Sequence, residues 1–162
     1  MKNYIGTKSL KARPMSLGGY NEYRGWEMPE GENAYDKGYL VEYAPDGKPN
    51  HPAHEGYISW SPKDTFEASY KTSGDLDFGQ ALVILKSGGR VARKGWNGKN
   101  MFLFSVAASH NLTVNREPLM SVLGEGATFN YQQHIDMFTA DGTIVPWLCS
   151  QSDMLAEDWT VV

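Results

Sequence analysis

The chain has 162 residues, 41% hydrophobic and 21% charged, with a formal net charge of −4 and a pI near 5.5. That composition fits one globular domain or two small ones, and its acidic balance excludes a non-specific nucleic-acid coat, which must be basic to neutralise phosphate. The lone Cys149 excludes an internal disulfide and suits a reducing cytoplasm. No apolar run approaches the roughly 20 residues that span a bilayer, and the chain opens without the charged-then-apolar pattern of a secretion signal. The 5 Trp and 9 Tyr favour flat-ligand binding or a protein interface, where amphipathic rings concentrate.

In chain order, residues 1–13 carry Tyr4, Ile5 and Leu10 among lysines and predict a short strand, which Pro14 and the Gly18-Gly19 pair interrupt. Residues 20–37, rich in Gly, Glu, Asn and Pro, predict a loop anchored by Tyr23, Trp26 and Tyr35, with room for one short helix. Gly38 to Tyr43 and Gly56 to Trp60 predict the two arms of a hairpin, with a turn starting at Pro45-Asp46-Gly47 and a long tip. Ser61 as a cap and Pro62 at the first helical position predict a helix through Tyr70. The polar stretch 71–75 marks the boundary between a small α+β module, residues 1–72, and a second domain, residues 75–162.

The second domain opens on Asp77, which can cap a helix whose stripe is Phe78, Ala81, Leu82 and Leu85, with Gln80 placed to complete a capping box and Gly88-Gly89 to end it. Next comes the densest stretch of the chain, RVARKGWNGKNMFL from Arg90 to Leu103. It predicts a short strand at Val91, a tight turn Gly95-Trp96-Asn97-Gly98 relying on glycine backbone freedom, and a strand from Met101 to Ala107. Trp96 beside Arg93 and Lys94 suits stacking on a base while cations neutralise phosphate; the alternative is that the ring folds back onto the core. Leu112 and Val114 predict a short strand and Pro118 to Leu123 a helical turn. Thr128 to Thr139 predicts one long strand, with Asp141-Gly142 turning into Thr143-Ile144-Val145. Ser150 caps a last helical turn, and Trp159 to Val162 predicts a closing strand. One amphipathic helix followed by a mostly antiparallel sheet is the α+β class.

Catalytic signals are thin. His51 and His54 lie in a Pro-flanked tip and read as solvated loop rather than metal ligands. A cross-strand partner accounts for His134 as well as catalysis would, Cys149 has no base aimed at it, and Glu157-Asp158 have no evident partner. No phosphate-binding glycine loop or nucleophile elbow occurs, so no catalytic residue, cofactor or metal is expected. The segment Val145 to Asp153 instead joins Trp147 to hydroxyl, amide and carboxylate groups: Ser150 at a helix start suits phosphate, and Gln151 and Asp153 suit a base edge or ribose. Convergence of Trp96 and Trp147 with Arg93 or Lys94 would make a pocket for a flat, phosphorylated ligand.

FGQALVILKSGGRVARKGWNGKNMFL together with HIDMFTADGTIVPWLCSQSDMLAEDWTVV resembles the phage Thoeris anti-defence two family over residues 75–162. The GWNGK turn, the TADGTIVPW hairpin and the SQSDMLAEDW end occur in the order the family has them. The resemblance implies a non-catalytic sponge acting in the cytoplasm of the infected bacterial host. It would sequester nucleotide immune signals, notably glycocyclic ADP-ribose from TIR-domain enzymes and, in some members, cyclic dinucleotides. It further implies a homotetramer with pockets between subunits; the acidic balance and the lack of a long apolar run predict no partnership with polymeric nucleic acid or membranes. Residues carried over on these motifs are Trp96, Asn97, Trp147, Ser150, Gln151 and Asp153. The competing readings are a protein-interaction or virion-assembly module and an enzyme degrading such a signal.

Overall fold

A computed structural model describes Lys2 and residues 7–43 and 48–162. The expected strand positions Tyr4 and Ile5, and the turn Pro45-Asp46-Gly47, lie outside the described residues. The chain divides into two compact units, Met1–Lys71 and Thr72–Val162, and mixes helices with antiparallel sheet throughout, an α+β architecture. Among the described residues no helix is long and apolar enough to cross a membrane.

Unit 1 runs β1 (Leu10–Pro14), α1 (Leu17–Arg24), β2 (Gly38–Tyr43), β3 (Tyr57–Pro62) and α2 (Lys63–Ser69). Its antiparallel sheet has the order β1-β2-β3, so β2 is central and reads as its most buried strand. Tyr20 of α1 packs on Leu40 and Ile58, with Met15, Tyr23 and Trp60 around them. On α2, Phe66 stacks on Tyr39 at 4.2 Å. Two sequence expectations fail here. Gly18 and Gly19 lie inside α1 rather than interrupting the chain; Ser16 caps it, its oxygen accepting from Gly19 N–H at 3.2 Å. A side chain at Gly18 would come within 2.8 Å of Ala34 Cβ, so this glycine permits close packing of the following loop. Ser61 and Pro62 belong to β3, paired with Tyr39 and Gly38, and α2 starts at Lys63 with no side-chain cap. The ladder to β2 outcompetes the cap that the Ser-Pro pair advertises.

Unit 2 runs α3 (Phe78–Lys86), β4 (Val91–Arg93), β5 (Phe102–Val106), β6 (Ser109–Thr113), α4 (Leu119–Leu123), β7 (Thr128–Tyr131), β8 (His134–Phe138), β9 (Ile144–Pro146), α5 (Gln151–Met154) and β10 (Trp159–Val161). Five strands form one sheet in the order β10-β4-β5-β8-β9, and β6 and β7 form a separate ribbon. The expected single strand 128–139 is therefore two. The alternation of apolar residues runs through Gln132-Gln133, but β7 pairs with β6 and β8 with β5 and β9, so the chain changes sheets there. Pro146 sits on the edge strand β9, where its missing N–H costs no ladder bond.

Helix α3 covers one face of the sheet. Its Ala81 and Leu85 meet Val91, Leu103, Leu76 and Trp159, all at most 7% exposed. Its start is a full capping box: Asp77 Oδ1 accepts from Gln80 N–H at 2.7 Å, and Gln80 Oε1 from Asp77 N–H at 3.1 Å. Its end closes through Gly88 at φ +86°, with Gly88 N–H donating to Leu85 O and Gly89 N–H to Ile84 O. Those two bonds satisfy carbonyls the helix leaves open. Asp77→Ala is expected to lower the stability of unit 2 by about 1 kcal/mol, with Asp77→Ser close to wild type, as read from urea midpoints. Equal midpoints for all three proteins would show that the cap carries no net stability.

Candidate functional site

Strand β10 closes the sheet and places Trp159 opposite Arg93 in the antiparallel register with β4. Residues 73–76 cover its free edge: Leu76 and Trp159 exchange backbone hydrogen bonds at 2.9 and 3.1 Å, and Val161 N–H donates to Ser73 O. Trp159 is fully buried. Three rings meet its indole at tilted or edge-on angles: Phe78 at 5.6 Å, Trp96 at 5.6 Å and Trp147 at 6.2 Å between centroids. Trp96 and Trp147 thus do converge, but through a third tryptophan that the sequence reading treated only as strand, and both are half-buried against the core. Trp96 is not held out on its turn.

The hydrogen-bonding groups around these rings mostly answer one another. Arg93 Nε donates to Asp158 Oδ1 and Nη1 to Asp153 Oδ1, both at 2.7 Å, and Nη1 also reaches Ser152 O at 3.3 Å. Asp153 Oδ1 also accepts from Trp96 Nε1 at 3.1 Å, and its Oδ2 accepts from Ser150 Oγ at 2.7 Å. Ser150 caps α5, its oxygen accepting from Asp153 N–H at 3.0 Å, and Trp159 Nε1 donates to Asp153 O at 3.0 Å. So Arg93, Trp96, Ser150 and Asp153 form one network that ties β4, the Gly-Trp-Asn-Gly turn and α5 to β10. Asp158 completes it, correcting its reading as an acid without a partner.

Gly95 N–H also donates to Asp158 Oδ2 at 2.8 Å, and a Cβ on Gly95 would stand 2.9 Å from that oxygen. Gly98 would place a Cβ 2.0 Å from Met101 Sδ. Neither glycine is at positive φ; the left-handed residue of this segment is Asn100 at φ 60°. Close approach, not backbone freedom, is why the turn needs its glycines.

The electrostatics follow. Hydrogen bonds from Arg93 first, then the Gly95 amide, hold the Asp158 carboxyl below its ordinary range. Burial would raise Asp153, but donation from Ser150, Arg93 and Trp96 outweighs it and its pKa is also lowered. The two carboxylates in turn raise the Arg93 pKa, Asp158 more than Asp153. Of the other expected site residues, Lys94 bonds to Asp75 Oδ1 at 2.9 Å with its side chain 55% exposed, Asn97 and Gln151 are exposed, and Trp147 is half-buried. Burial first, then the Asp153 charge, pushes the Cys149 thiol up, the reverse of what activates a nucleophile. The His134 side chain bonds within its own strand region, Nδ1 to Gln132 O at 2.9 Å, with Nε2 3.7 Å from Asp136 Oδ1, rather than across strands. Among the described residues no group of three His, Cys, Asp or Glu side chains could hold a metal ion.

A helix-covered antiparallel sheet, closed by a strand whose tryptophan gathers an ion-paired aromatic cluster, is a compact scaffold with its polar groups arranged for rigidity. Residues 76–162 match the model of the Thoeris anti-defense 2-like domain. The chain is 40% identical over 96 residues to "Thoeris anti-defense 2" of Bacillus phage SP01, an alignment covering 54% of this chain and 94% of that protein. This protein belongs to the Thoeris anti-defense 2-like family, and membership places it among phage anti-defence proteins.

Proposed function

We propose that unit 2 is a sponge: it binds a cyclic nucleotide immune signal of the glycocyclic ADP-ribose class, with cyclic dinucleotides as a second class, and holds it without cleaving it. The observation that carries this reading is the family match across 76–162, together with a phage relative named for anti-defence that aligns over nearly its whole length. The site chemistry agrees in kind. Aromatic faces and cations lie close together, and the described thiol is deactivated. The acids nearest the cluster are held as carboxylates by Arg93.

The roles divide on geometry. Lys94, Asn97, Trp147 and Gln151 present donors and a ring face at or near the surface and are the proposed ligand contacts. Arg93, Trp96, Ser150 and Asp153 brace the scaffold, because each already spends its hydrogen bonds internally. The protein would act in the cytoplasm of the infected host as a homotetramer.

Sequestering a scarce signal requires a dissociation constant of nanomolar order, about −12 kcal/mol. The test is calorimetric titration of the pure chain with glycocyclic ADP-ribose and a panel of cyclic dinucleotides, then heat release and chromatography of the bound material. Nanomolar binding with the ligand recovered intact is expected. A converted product would mean an enzyme, and no heat with any nucleotide would leave a protein-interaction or virion-assembly module as the better reading.

A further inference from the structure

The family match leaves unit 1 uncovered, yet unit 1 holds a hydrogen-bonded relay of three chemically active side chains. Tyr23 Oη of α1 lies 2.9 Å from His54 Nε2, and His54 Nδ1 lies 2.9 Å from Glu42 Oε2 of β2. The second oxygen of Glu42 accepts from the Glu55 and Gly56 amides at 3.0 and 3.1 Å. His54 and Glu42 retain only 12% and 16% of their side-chain exposure, so the histidine expected to be solvated is neither solvated nor alone.

The proton order follows from the partners. Hydrogen bonds from His54 first, then from Gly56, hold the Glu42 carboxyl below its ordinary range, so it is an ionised acceptor. With Glu42 the acceptor, His54 Nδ1 donates to it, and Nε2 faces the phenol at 2.9 Å, placed to take its proton. Hydroxyl to imidazole to carboxylate is the arrangement that activates a weak nucleophile through an oriented base. The Tyr23 ring stacks on His51 at 4.5 Å, and the Arg13 guanidinium of β1 lies 5.5 Å from its centroid. Holding the 48–56 connection to the sheet does not require the phenol. Asn50 already does so through bonds of 2.8 and 2.9 Å to the Ile58 backbone, as does Glu42 through the two amides.

We propose that Tyr23 is a base-activated nucleophile, a site at which unit 1 accepts an acyl group from an activated acyl donor. Tyr23 Oη bonds to the acyl carbon while the bond from that carbon to the leaving group breaks. The phenolic proton passes to His54 Nε2, Glu42 stabilises the imidazolium, and the proton then goes to the departing group. The charged and titratable groups around the relay are Arg13 from β1, Glu42 from β2, and His51 and His54 from the connection.

The experiment uses N-acetylimidazole on the full chain, with O-acetylation of each tyrosine followed by mass spectrometry over time. Tyr35, 88% exposed, is the internal reference. Tyr23 is expected to react about tenfold faster than Tyr35 near neutral pH despite its lower exposure. His54→Gln should lower the Tyr23 rate about tenfold and leave Tyr35 unchanged. A Tyr23 rate at or below that of Tyr35 in the folded wild type overturns the proposal and makes the relay a structural latch. If His54→Gln fails to fold, the wild-type ratio decides.

Discussion

Trp159→Ala is expected to destabilise unit 2 by about 4 kcal/mol, a large share of the total stability of a small domain. The residue is fully buried and touches Phe78, Trp96 and Trp147, so its removal opens a cavity walled by three rings that cannot all collapse into it. Its Nε1–H bond to Asp153 O is lost as well, freeing the end of α5. With a urea slope of about 1.5 kcal/mol per molar, the unfolding midpoint should fall by about 2 M or more. Trp159→Phe keeps most of the ring volume and should cost roughly half as much. A loss under about 1 kcal/mol for the alanine variant would mean that the neighbouring tryptophans repack and that Trp159 is not the centre of the cluster.

The second large effect is expected at Arg93, where replacement by alanine should cost about 3 kcal/mol at neutral pH. Its side chain is 17% exposed and is held by Asp153 and Asp158, whose side chains are 14% and 31% exposed, so the substitution leaves two partly desolvated carboxylates without their cation. The pH dependence has a defined sign. Both acids have folded-state pKa values lowered below the ordinary carboxylate range. The stabilisation they bring is therefore present above about pH 4 and is lost as pH falls through their folded values. Wild-type stability should stay level from neutrality to about pH 5 and decline below about pH 4, and the gap to Arg93→Ala should narrow over that same decline. Urea unfolding of both proteins near neutral pH and near pH 3 checks this. A gap that stays constant would show that the ion pairs contribute nothing beyond packing of the Arg93 stem. The same pair of variants separates bracing from ligand contact, since a bracing Arg93 loses stability first and affinity only in proportion.

Much of the local structure was legible because it depends on neighbours in the chain. The helix 78–86 carries its own capping box and its own glycine stop, and the Asp141-Gly142 turn and the Ser150 cap likewise need only residues within a few positions. Errors arose where a local signal met a distant partner. Ser61-Pro62 advertises a helix start but pairs in register with Tyr39 and Gly38. The even alternation through 128–139 hides a change of sheet, since period two says which face a residue takes and not which strand it joins. Gly18, Gly95 and Gly98 were read as breakers or turn-makers; at Gly18 and Gly95 the nearest atoms that would collide with a side chain belong to Ala34 and Asp158, which the sequence does not mark as near.

By itself, then, the sequence determined the α+β class, most elements of the second unit and the family to which residues 76–162 belong, because periodicity, caps and ordered motifs are written in consecutive residues. Only the tertiary structure decided which of the marked residues meet. Arg93 and Asp158 stand far apart in the chain and Glu42 and Tyr23 lie on different elements, yet Arg93 meets Asp158, and His54 meets both Tyr23 and Glu42, because strand register and helix packing bring them together. A cation written beside a tryptophan can face a phosphate or a carboxylate, and composition is the same in either case. Here the register of β10 against β4 brings Asp158 to Arg93 and α5 brings Asp153, so this cation faces carboxylates in the folded chain.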